Sequence, residues 1–471
     1  MSSGASNPTK RTSDVPISPP PVKRRLQSGT TSFYGIITDS NISENAVATF
    51  FTPTSQKPKD KTTWTERAPD DDTPTSLLVG RYVPDGKTED PASKRRKIAA
   101  FDLDSTLIKP KSGKKHADSA TDWQWWNTAV PAKLKSLYDD SYRVVIISNQ
   151  GGLQLHYDPK SKAPKARSTT RVTAFKQKCS AVLSHLDIPT TVYAATGRDI
   201  FRKPRTGIWA EICEDYDLNP KDIDIENSFY VGDAGGRIAE IGGSNQGLVT
   251  AKDFSCSDRD FAHNVGIPFL TPEEYFLGLP PREFRRDFDL EHFPFPEESD
   301  DKIPMFSTKN KQDLVIFCGP PGAGKSTFYH RYLKPLGYER VNQDTLKTRE
   351  KCVHAASNLL GEGDSVVIDN TNPDSDTRAV WVELAKKFKV PVRCVWFKTP
   401  PSVCEHNDAV RSMNKLMNPE KREALPKLAF NSFASKFKQP QEKEGFQDIT
   451  EVEFRFRGSK EEYDIWARYW L

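Results

Sequence analysis

The hydrophobic residues of the first half of the chain form short apolar runs that end in polar residues. Four such runs read KIAAFDLD (97–104), RVVIISNQ (143–150), TTVYAAT (190–196) and SFYVGDA (228–234). Runs of this length predict buried strands. The stretches between them are amphipathic and predict helices at Asp122–Tyr138, Arg171–Leu186 and Thr206–Tyr216. Strands that alternate with helices predict an α/β fold with a doubly wound parallel sheet.

The second half repeats this alternation. Its apolar runs are DLVIFCG (313–319), DSVVIDNTN (364–372) and VPVRCVWF (390–397). We therefore expect two doubly wound parallel-sheet domains, at 76–279 and 313–471. Residues 280–312 mix proline, charge and aromatic residues, which indicates a linker whose aromatic side chains pack on a neighbouring domain. Residues 1–75 are rich in Ser, Thr, Pro and Asp without sustained periodicity, which predicts a disordered tail.

Composition narrows the class of protein. The 471 residues include 68 Lys and Arg against 64 Asp and Glu, so net charge alone indicates no partner. Seven cysteines without a CxxC pair fit a reducing compartment. Neither a hydrophobic leader nor a run of 18 apolar residues is present, so we expect a soluble intracellular protein without a membrane partner. The basic cluster PPPVKRRLQ in the tail is compatible with nuclear import, or with a solvated charge run.

A pair of carboxylates follows the first predicted strand. Asp102 and Asp104 flank Leu103, so a slight turn would aim both side chains at one metal ion and one phosphorus atom. One carboxylate can attack a phosphomonoester while the other moves protons, and Mg²⁺ would compensate the negative charge. Ser148 and Asp233 end two further strands. Carboxyl ends of parallel strands share one edge of a sheet, where active sites lie.

The ordered motifs FDLDSTL, IISNQ, RKPRTG and YVGDAGGR resemble the haloacid-dehalogenase phosphatases. The resemblance implies Asp102 as nucleophile, Asp104 as general acid and base, and Ser148 and Lys203 as phosphate-binding residues. It also implies that Asp102, Asp104 and Asp233 hold Mg²⁺. Many members carry a second acidic residue soon after the fourth-motif aspartate. None is nearby here, and whether Asp258 takes its place is left open.

The segments between the motifs are too short for a large lid domain. An open site suits the end of a polymer better than an enclosed metabolite. A basic stretch beside the second motif would then follow a phosphate backbone, or else form a solvated loop; it comprises Lys160, Lys162, Lys165, Arg167 and Arg171.

A glycine-rich loop opens the second domain. GPPGAGKS (319–326) fits GxxxxGK[ST] between a predicted strand and a predicted helix, the context in which backbone N–H groups hold nucleotide phosphates. We expect ATP to be held by this loop and by a lid arginine, through Gly319, Gly322, Gly324, Lys325, Ser326, Thr327 and Arg411. Ser326 and Asp369 would hold Mg²⁺. Asp344 in NQDTL would accept the acceptor hydroxyl's proton, and Arg378 would face the acceptor or the transferring group. Each arginine is equally compatible with an ordinary surface position on a helix.

From residue 76 onward the motif order closely resembles the polynucleotide kinase 3′-phosphatase family. The resemblance implies an enzyme of DNA ends that removes 3′-phosphates and phosphorylates 5′-hydroxyls with ATP. Two features depart from animal members: the first 75 residues cannot form a forkhead-associated domain, and Gln343 stands where those members commonly carry arginine. In the tail, QSGTTSFY (Gln27–Tyr34) resembles a box that binds sliding clamps, although Thr30 stands where an aliphatic residue is usual.

Three alternatives remain at this level. A bifunctional enzyme of small molecules is disfavoured by the short inter-motif segments. RNA end healing is compatible with the same motifs. A non-enzymatic scaffold for broken ends is disfavoured because Asp102, Asp104, Lys325 and Ser326 are all present.

Overall fold

The computed structural model describes residues 61–87, 95–117, 119–156, 165–241, 249–286, 288–296 and 305–471, with only the backbone at 165–168, 241, 249 and 250. The basic cluster PPPVKRRLQ and the segment Gln27–Tyr34 lie outside these residues. Within the described ranges, no helix is both long enough and apolar enough to cross a bilayer.

The first domain contains a seven-stranded sheet with the strand order β1-β2-β7-β6-β3-β8-β11. Its strands are β1 (Thr62–Arg67), β2 (Leu77–Tyr82), β3 (Lys97–Phe101), β6 (Tyr142–Asn149), β7 (Thr190–Ala195), β8 (Phe229–Val231) and β11 (Phe269–Leu270). Two short antiparallel pairs lie outside this sheet: β4 (Ile108–Lys109) with β5 (Gln124–Trp125), and β9 (Glu240–Ile241) with β10 (Val249–Thr250). The strands from β7 to β11 in the sheet run parallel, as predicted.

Helices cover this sheet on both faces, which makes it doubly wound. They are α1 (Val130–Asp139), α2 (Lys165–Leu186), α3 (Gly207–Asp215), α4 (Ser257–Val265) and α5 (Pro272–Leu277). One apolar cluster packs α1 and α2 against the sheet through residues such as Leu134 and Leu183. A second cluster packs α3 and α4 through Ile212 and Phe261. Successive side chains of a buried strand point to opposite faces, so β3 contributes Ala99 to the first cluster and Ala100 to the second.

The predicted tail of residues 1–75 is wrong for its last part. Strand β1 pairs antiparallel with β2, and β2 pairs antiparallel with β7, so the first domain begins before residue 76. Trp64 lies over Gly80, where an added Cβ would stand 2.5 Å from the indole ring, and it contacts Phe175 edge-on. Only Thr62 of β1 is buried and Trp64 is half-buried, so the polar composition of β1 gave little signal for a strand.

The predicted helix Asp122–Tyr138 is shorter than expected. Its first part instead forms β5, which pairs with β4. Pro131 lies in the first turn of α1, where a missing N–H costs nothing, so the helix begins at Val130.

The second domain contains five parallel strands in the order β13-β14-β12-β15-β16, as expected for a doubly wound sheet. They are β12 (Leu314–Cys318), β13 (Glu339–Val341), β14 (Val366–Ile368), β15 (Val392–Phe397) and β16 (Asp448–Val452). Its helices are α6 (Lys325–Phe328), α7 (Gln343–Leu346), α8 (Arg349–Glu362), α9 (Ser375–Phe388), α10 (Pro401–Met413), α11 (Lys427–Lys436) and α12 (Lys460–Trp466). A π-helical stretch, Tyr329–Leu333, continues α6.

The predicted linker 280–312 contributes aromatic residues to the second domain. Phe288 and Phe293 pack around Trp466 and His406 in a separate apolar cluster. Near the start of the same segment, Phe284 forms a β-bridge with Arg237 in the first domain. The aromatic packing expected for this segment is therefore confirmed.

Candidate active sites

The first site lies where the polar ends of β3, β6 and β8 meet. Asp102 directly follows β3 and is buried, and its backbone N–H donates to the carbonyl of Val231 at 2.8 Å. Ser148, near the end of β6, is also buried. The sheet therefore brings the predicted residues to one edge, as the parallel topology requires.

Lys203 is the positive centre of this site. Its side chain is 2% exposed, and its ammonium lies 2.7 Å from Asp102 Oδ1 and 2.8 Å from Asp258 Oδ1. It also contacts the carbonyl of Ile147 at 2.8 Å and the hydroxyl of Tyr230 at 2.6 Å. Burial lowers the pKa of Lys203, but the two carboxylates outweigh it and leave the pKa above its ordinary value. The lysine therefore stays charged inside the protein.

Asn149 holds the backbone of Lys203. Its amide donates to the Lys203 carbonyl at 3.1 Å and accepts from the Lys203 N–H at 3.0 Å. This reciprocal pair ties the loop after β7 to the end of β6. The position of the ammonium is thus set by the backbone as well as by its charged partners.

Three carboxylates can share a cation here. One oxygen each of Asp102, Asp233 and Asp258 lies within 4.8 Å of the other two. Hard cations such as Mg²⁺ take oxygen ligands of this kind, so the donor set fits the expected ion. Burial raises the pKa of Asp102 to about 7, with Lys203 opposing and Asp258 adding to the shift. Burial also raises the pKa of Asp233 to about 8, reinforced by Asp102 and Asp258.

Asp258 places a further carboxylate beside Asp102 and Asp233, although the fourth motif itself has no second acidic residue. It lies in the first turn of α4, and its Oδ2 accepts from the backbone N–H of Ala234 at 3.0 Å. Gly232 makes this approach possible, because an added Cβ there would stand 2.3 Å from that same oxygen. A carboxylate 25 residues after Asp233 in the sequence is thereby folded back into the site.

Asp104 lies on the open side of the same site. Its Oδ2 accepts from Gln150 Nε2 at 2.7 Å, and its Oδ1 lies 3.0 Å from Lys178 Nζ. Gln150 also donates to Ser148 Oγ at 2.9 Å. Sequence reasoning assigned no role to Gln150 or Lys178, although Gln150 ends the second motif and Lys178 projects from α2.

The basic stretch expected to follow a phosphate backbone is described only in part. Lys160 and Lys162 fall outside the described residues, as do the side chains of Lys165 and Arg167. Arg171 is exposed and donates to the carbonyl of Gly152 at 3.3 Å.

The second site is a glycine-rich loop between β12 and α6. Gly322 and Gly324 have φ of +77° and +86°, and an added Cβ at Gly322 would stand 2.3 Å from the carbonyl of Cys404. Lys325 is buried and donates to the carbonyls of Gly319 and Pro320 at 3.1 and 2.6 Å. Burial lowers its pKa. The loop therefore has the compact backbone that a phosphate cradle needs.

A cavity of about 1510 Å³ opens beside this loop. The predicted residues Gly322, Gly324, Lys325, Ser326, Thr327, Asp344, Asp369 and Arg411 all line it. Gly319 is the first residue of the loop, and its backbone N–H donates to the carbonyl of Thr371 at 3.1 Å. Ser326 Oγ donates to Asp369 Oδ2 at 2.8 Å, so the two oxygen ligands expected for Mg²⁺ are adjacent and fit that ion.

Arg340 is a residue of the second site that sequence reasoning missed. Its guanidinium lies 2.6 Å from Asp369 Oδ2, donates to Ser326 Oγ at 3.0 Å and to Glu420 Oε1 at 3.1 Å. Arg422 contacts Glu420 in turn, and it lies 3.1 Å from Asp344 Oδ2. A chain of alternating charges thus joins the side of the cavity near Asp369 to the side near Asp344.

The two predicted arginines, Arg411 and Arg378, lie in different environments. Arg411 lines the cavity and pairs with Asp408 on the same helix, α10. Arg378 is fully buried, donates twice to Glu444 at 2.8 Å and contacts the carbonyl of Asn372 at 3.1 Å. The structure corrects the prediction for Arg378: burial and its carboxylate partner make it a structural residue of α9.

Comparisons with known proteins agree with this geometry. Residues 97–276 match the family described as "Polynucleotide kinase 3 phosphatase", and residues 314–440 match the family described as "AAA domain". A bifunctional polynucleotide phosphatase/kinase of Schizosaccharomyces pombe is 38% identical over 398 residues, which cover 84% of this chain and 86% of that protein. A polynucleotide 3′-phosphatase of Saccharomyces cerevisiae is 30% identical over 38% of this chain and 87% of its own length. The chain therefore belongs to the family of bifunctional polynucleotide phosphatase/kinases.

Proposed function

We propose that this enzyme repairs the two ends of one DNA break. The first site hydrolyses a 3′-phosphate, and the second site phosphorylates a 5′-hydroxyl with ATP. The observation that carries the proposal is one chain with a carboxylate–lysine centre at one sheet edge and a phosphate cradle at another. One reaction removes a phosphate and the other adds one, but they act on opposite sides of a break. Together they leave ends that a ligase can join.

At the first site, Asp102 attacks the phosphorus atom and forms an aspartyl-phosphate. Asp104 donates a proton to the departing 3′-oxygen and then takes one from the attacking water. Lys203 compensates the charge of Asp102, and Ser148 hydrogen-bonds the phosphoryl oxygens. Mg²⁺ held by Asp102, Asp233 and the backbone near Asp104 would add the remaining positive charge.

At the second site, Lys325 and the loop N–H groups hold the nucleotide phosphates. Asp344 accepts the proton of the 5′-hydroxyl, and Arg411 contributes positive charge from α10. Ser326 and Asp369 would hold Mg²⁺, which screens the phosphate charge. Arg378 has no part in this step.

The surroundings of both sites favour a polynucleotide over a small molecule. Phe254 is 99% exposed, and the ammonium of Lys115 lies 5.8 Å from its ring. The adjacent Asp253 accepts from the backbone of Gly235, close to Asp233, so this aromatic ring lies near the first site. An exposed ring beside a cation suits a stacked base and a phosphate. The second cavity is lined by basic residues that suit a polyanion: Lys347, Arg349, Lys421, Arg422, Lys436, Arg455 and Arg457.

The test uses a duplex with a one-nucleotide gap that bears a 3′-phosphate and a 5′-hydroxyl. We expect Asp102→Asn to abolish phosphate release while 5′-phosphorylation stays within about twofold, and Lys325→Met to do the reverse; loss of a nucleophile or phosphate-binding lysine costs on the order of 10³-fold or more. An RNA duplex of the same sequence is the comparison arm. Loss of both activities in either folded variant, or a preference for RNA, would contradict the proposal.

We further propose that the enzyme works in the nucleus and contacts a sliding clamp. The basic residues Lys23, Arg24 and Arg25 would direct import, and Gln27–Tyr34 would bind the clamp. Replacing the three basic residues with alanine should move a fluorescent fusion out of the nucleus. A peptide that spans Gln27–Tyr34 should bind the purified clamp, and Phe33→Ala should abolish that binding. An unchanged distribution, or equal binding by both peptides, would contradict these assignments.

A further inference from the structure

The Asp104 carboxyl is held more firmly than its exposure suggests. Its side chain is 47% exposed, yet each carboxyl oxygen has a donor from a different part of the fold. Lys178 Nζ lies 3.0 Å from Oδ1, and Gln150 Nε2 lies 2.7 Å from Oδ2. The side chain of Lys178 is only 11% exposed, so its ammonium has little freedom to move away from Asp104.

The backbone that follows Asp104 forms a tight turn, which limits the movement of this residue as well. Asp104 forms a bridge with Ile108, and the N–H of Ser105 donates to the carbonyl of Ile108 at 2.8 Å. Ser105 has a φ of +62°, which belongs to a tight turn. The turn fixes the Cα of Asp104, and Lys178 and Gln150 then fix its two oxygens.

We propose that Lys178 and Gln150 are positioning residues for the phosphatase reaction that act through Asp104. The inference rests on the proposed function of the first site. The two donors keep the Asp104 carboxyl in one orientation on the open side of the site, beside the buried Asp102. Each carboxyl oxygen has two lone pairs, so two donors still leave one lone pair on each oxygen for a proton.

The reaction shows why a fixed orientation matters. In the first step a bond forms between Asp102 and phosphorus, the bond from phosphorus to the 3′-oxygen breaks, and the proton of Asp104 moves to that oxygen. In the second step the oxygen of water bonds to phosphorus, its proton returns to Asp104, and the bond to Asp102 breaks. Asp104 thus acts twice in one turnover, and a held geometry removes the cost of reorienting it.

Lys178→Met tests this role because it keeps the length of the side chain and removes the ammonium. Lys178→Arg is the conservative variant. Lys176→Met is the matched control, since Lys176 lies on the same helix and its ammonium is 3.8 Å from Glu66, away from Asp104. Each full-length protein is assayed on a 3′-phosphorylated oligonucleotide and on p-nitrophenyl phosphate. The alkoxide of the oligonucleotide needs a proton to leave, whereas the nitrophenolate does not.

We expect Lys178→Met to lower kcat/KM on the oligonucleotide by about 10- to 100-fold, a part of the 10²–10⁴ that general acid catalysis supplies. KM should change little, and kcat/KM on p-nitrophenyl phosphate should fall by less than about threefold because that step needs no proton. Lys178→Arg should recover part of the loss, and Lys176→Met should match the unsubstituted enzyme. Retained cleavage of p-nitrophenyl phosphate reports that the first domain of each variant is folded, and the 5′-kinase rate on the same samples reports the same for the second domain.

An equal loss on both substrates would overturn the inference, because Lys178 would then act on the phosphate or on folding. No loss on the oligonucleotide would also overturn it. If the unsubstituted enzyme released no phosphate from the oligonucleotide while still cleaving p-nitrophenyl phosphate, the proposed polynucleotide substrate would be wrong. That result is distinguishable from failure of the positioning role.

Discussion

The two sites hold their charges in opposite ways. In the first site, Lys203 is buried between Asp102 and Asp258. Its ammonium also contacts the carbonyl of Ile147 and the hydroxyl of Tyr230. In the second site, Arg340 pairs with the buried Asp369, and the chain of charges then continues through Glu420 and Arg422 to the exposed Asp344 beside an open cavity. Buried charges must compensate one another, whereas charges near water are screened. We therefore expect single changes at the buried centre of the first site to have large effects, and single changes at the exposed end of the second site's chain of charges to have small ones.

Replacing Lys203 should give the largest effect. Lys203→Met leaves Asp102 and Asp258 buried without their cation, so we expect phosphate release to fall by about 10³-fold or more, since such electrostatic groups contribute several kcal/mol. The free energy of unfolding of the first domain should fall by about 3–5 kcal/mol, the usual cost of breaking a buried pair. Single-turnover phosphate release and urea unfolding are the measurements. Lys221→Met, at an exposed lysine, is the control, and comparable losses in that variant would contradict the assignment.

Arg378 distinguishes a structural residue from a catalytic one within the second domain. Arg378→Met removes the partner of Glu444 in a buried pair, so we expect a loss of about 3–5 kcal/mol in the free energy of unfolding. Lys386→Met on the same helix breaks an exposed pair with Glu383 and should cost less than about 1 kcal/mol. Urea unfolding of both variants checks this. A drop in kinase rate with unchanged stability would restore the catalytic interpretation.

The pH dependence of metal binding should separate the two sites. Burial raises the pKa of Asp102 to about 7 and that of Asp233 to about 8, and a protonated carboxyl does not bind Mg²⁺. Raising the pH from 6 to 8 removes these protons, so the Mg²⁺ affinity of the first site should increase by about tenfold per pH unit for each proton displaced. Mg²⁺ titrations of phosphatase activity at pH 6, 7 and 8 measure this.

The same titration with Lys325→Met serves as its control. This variant disables the second site, so the pH dependence of the phosphatase should survive unchanged. Mg²⁺ affinity that stays constant between pH 6 and 8, or that falls as the pH rises, would contradict the buried-carboxylate account of the first site.

The smallest effect is expected at the charge chain of the second site. Glu420→Gln removes the carboxylate between Arg340 and Arg422, and partly exposed pairs contribute about 0–1 kcal/mol each. We expect kcat/KM of the kinase to change by about two- to fivefold and the loop around Glu420 to become more sensitive to limited proteolysis. Glu423→Gln in the same loop is the matched control. A loss of 100-fold or more would show that this chain is as essential as the buried centre of the first site.

Local patterns predicted most of the chemistry. Asp102, Asp104, Ser148 and Asp233 end or follow apolar runs, and Lys325 and Ser326 belong to a contiguous motif, so their positions depend on short stretches of chain. Fold class and the parallel order of the central strands also followed from alternation. The antiparallel β1 was missed, because a strand with one buried threonine and one half-buried tryptophan carries almost no periodic signal.

The supporting residues could not be predicted in the same way. Lys178 reaches Asp104 across 74 positions, and Arg340 and Glu420 are 80 positions apart. Nothing in the sequence of α2 marks Lys178 as more deeply buried than Lys176, two positions earlier. Arg378 shows the converse error: arginine on a helix beside a phosphate loop suggested catalysis, and only its burial against Glu444 revealed its partner.

By itself, the sequence determined the two α/β domains, the acid pair, the phosphate cradle and the resemblance that connects them. Each of these can be identified from residues that are close together in the sequence. The tertiary structure alone decided which charges are buried together: Asp258 with Lys203, Lys178 with Asp104, and Arg340 with Asp369. The physical reason is that the strength of a charge pair depends on its distance and on its burial. Both are properties of the folded chain and not of the order of its residues.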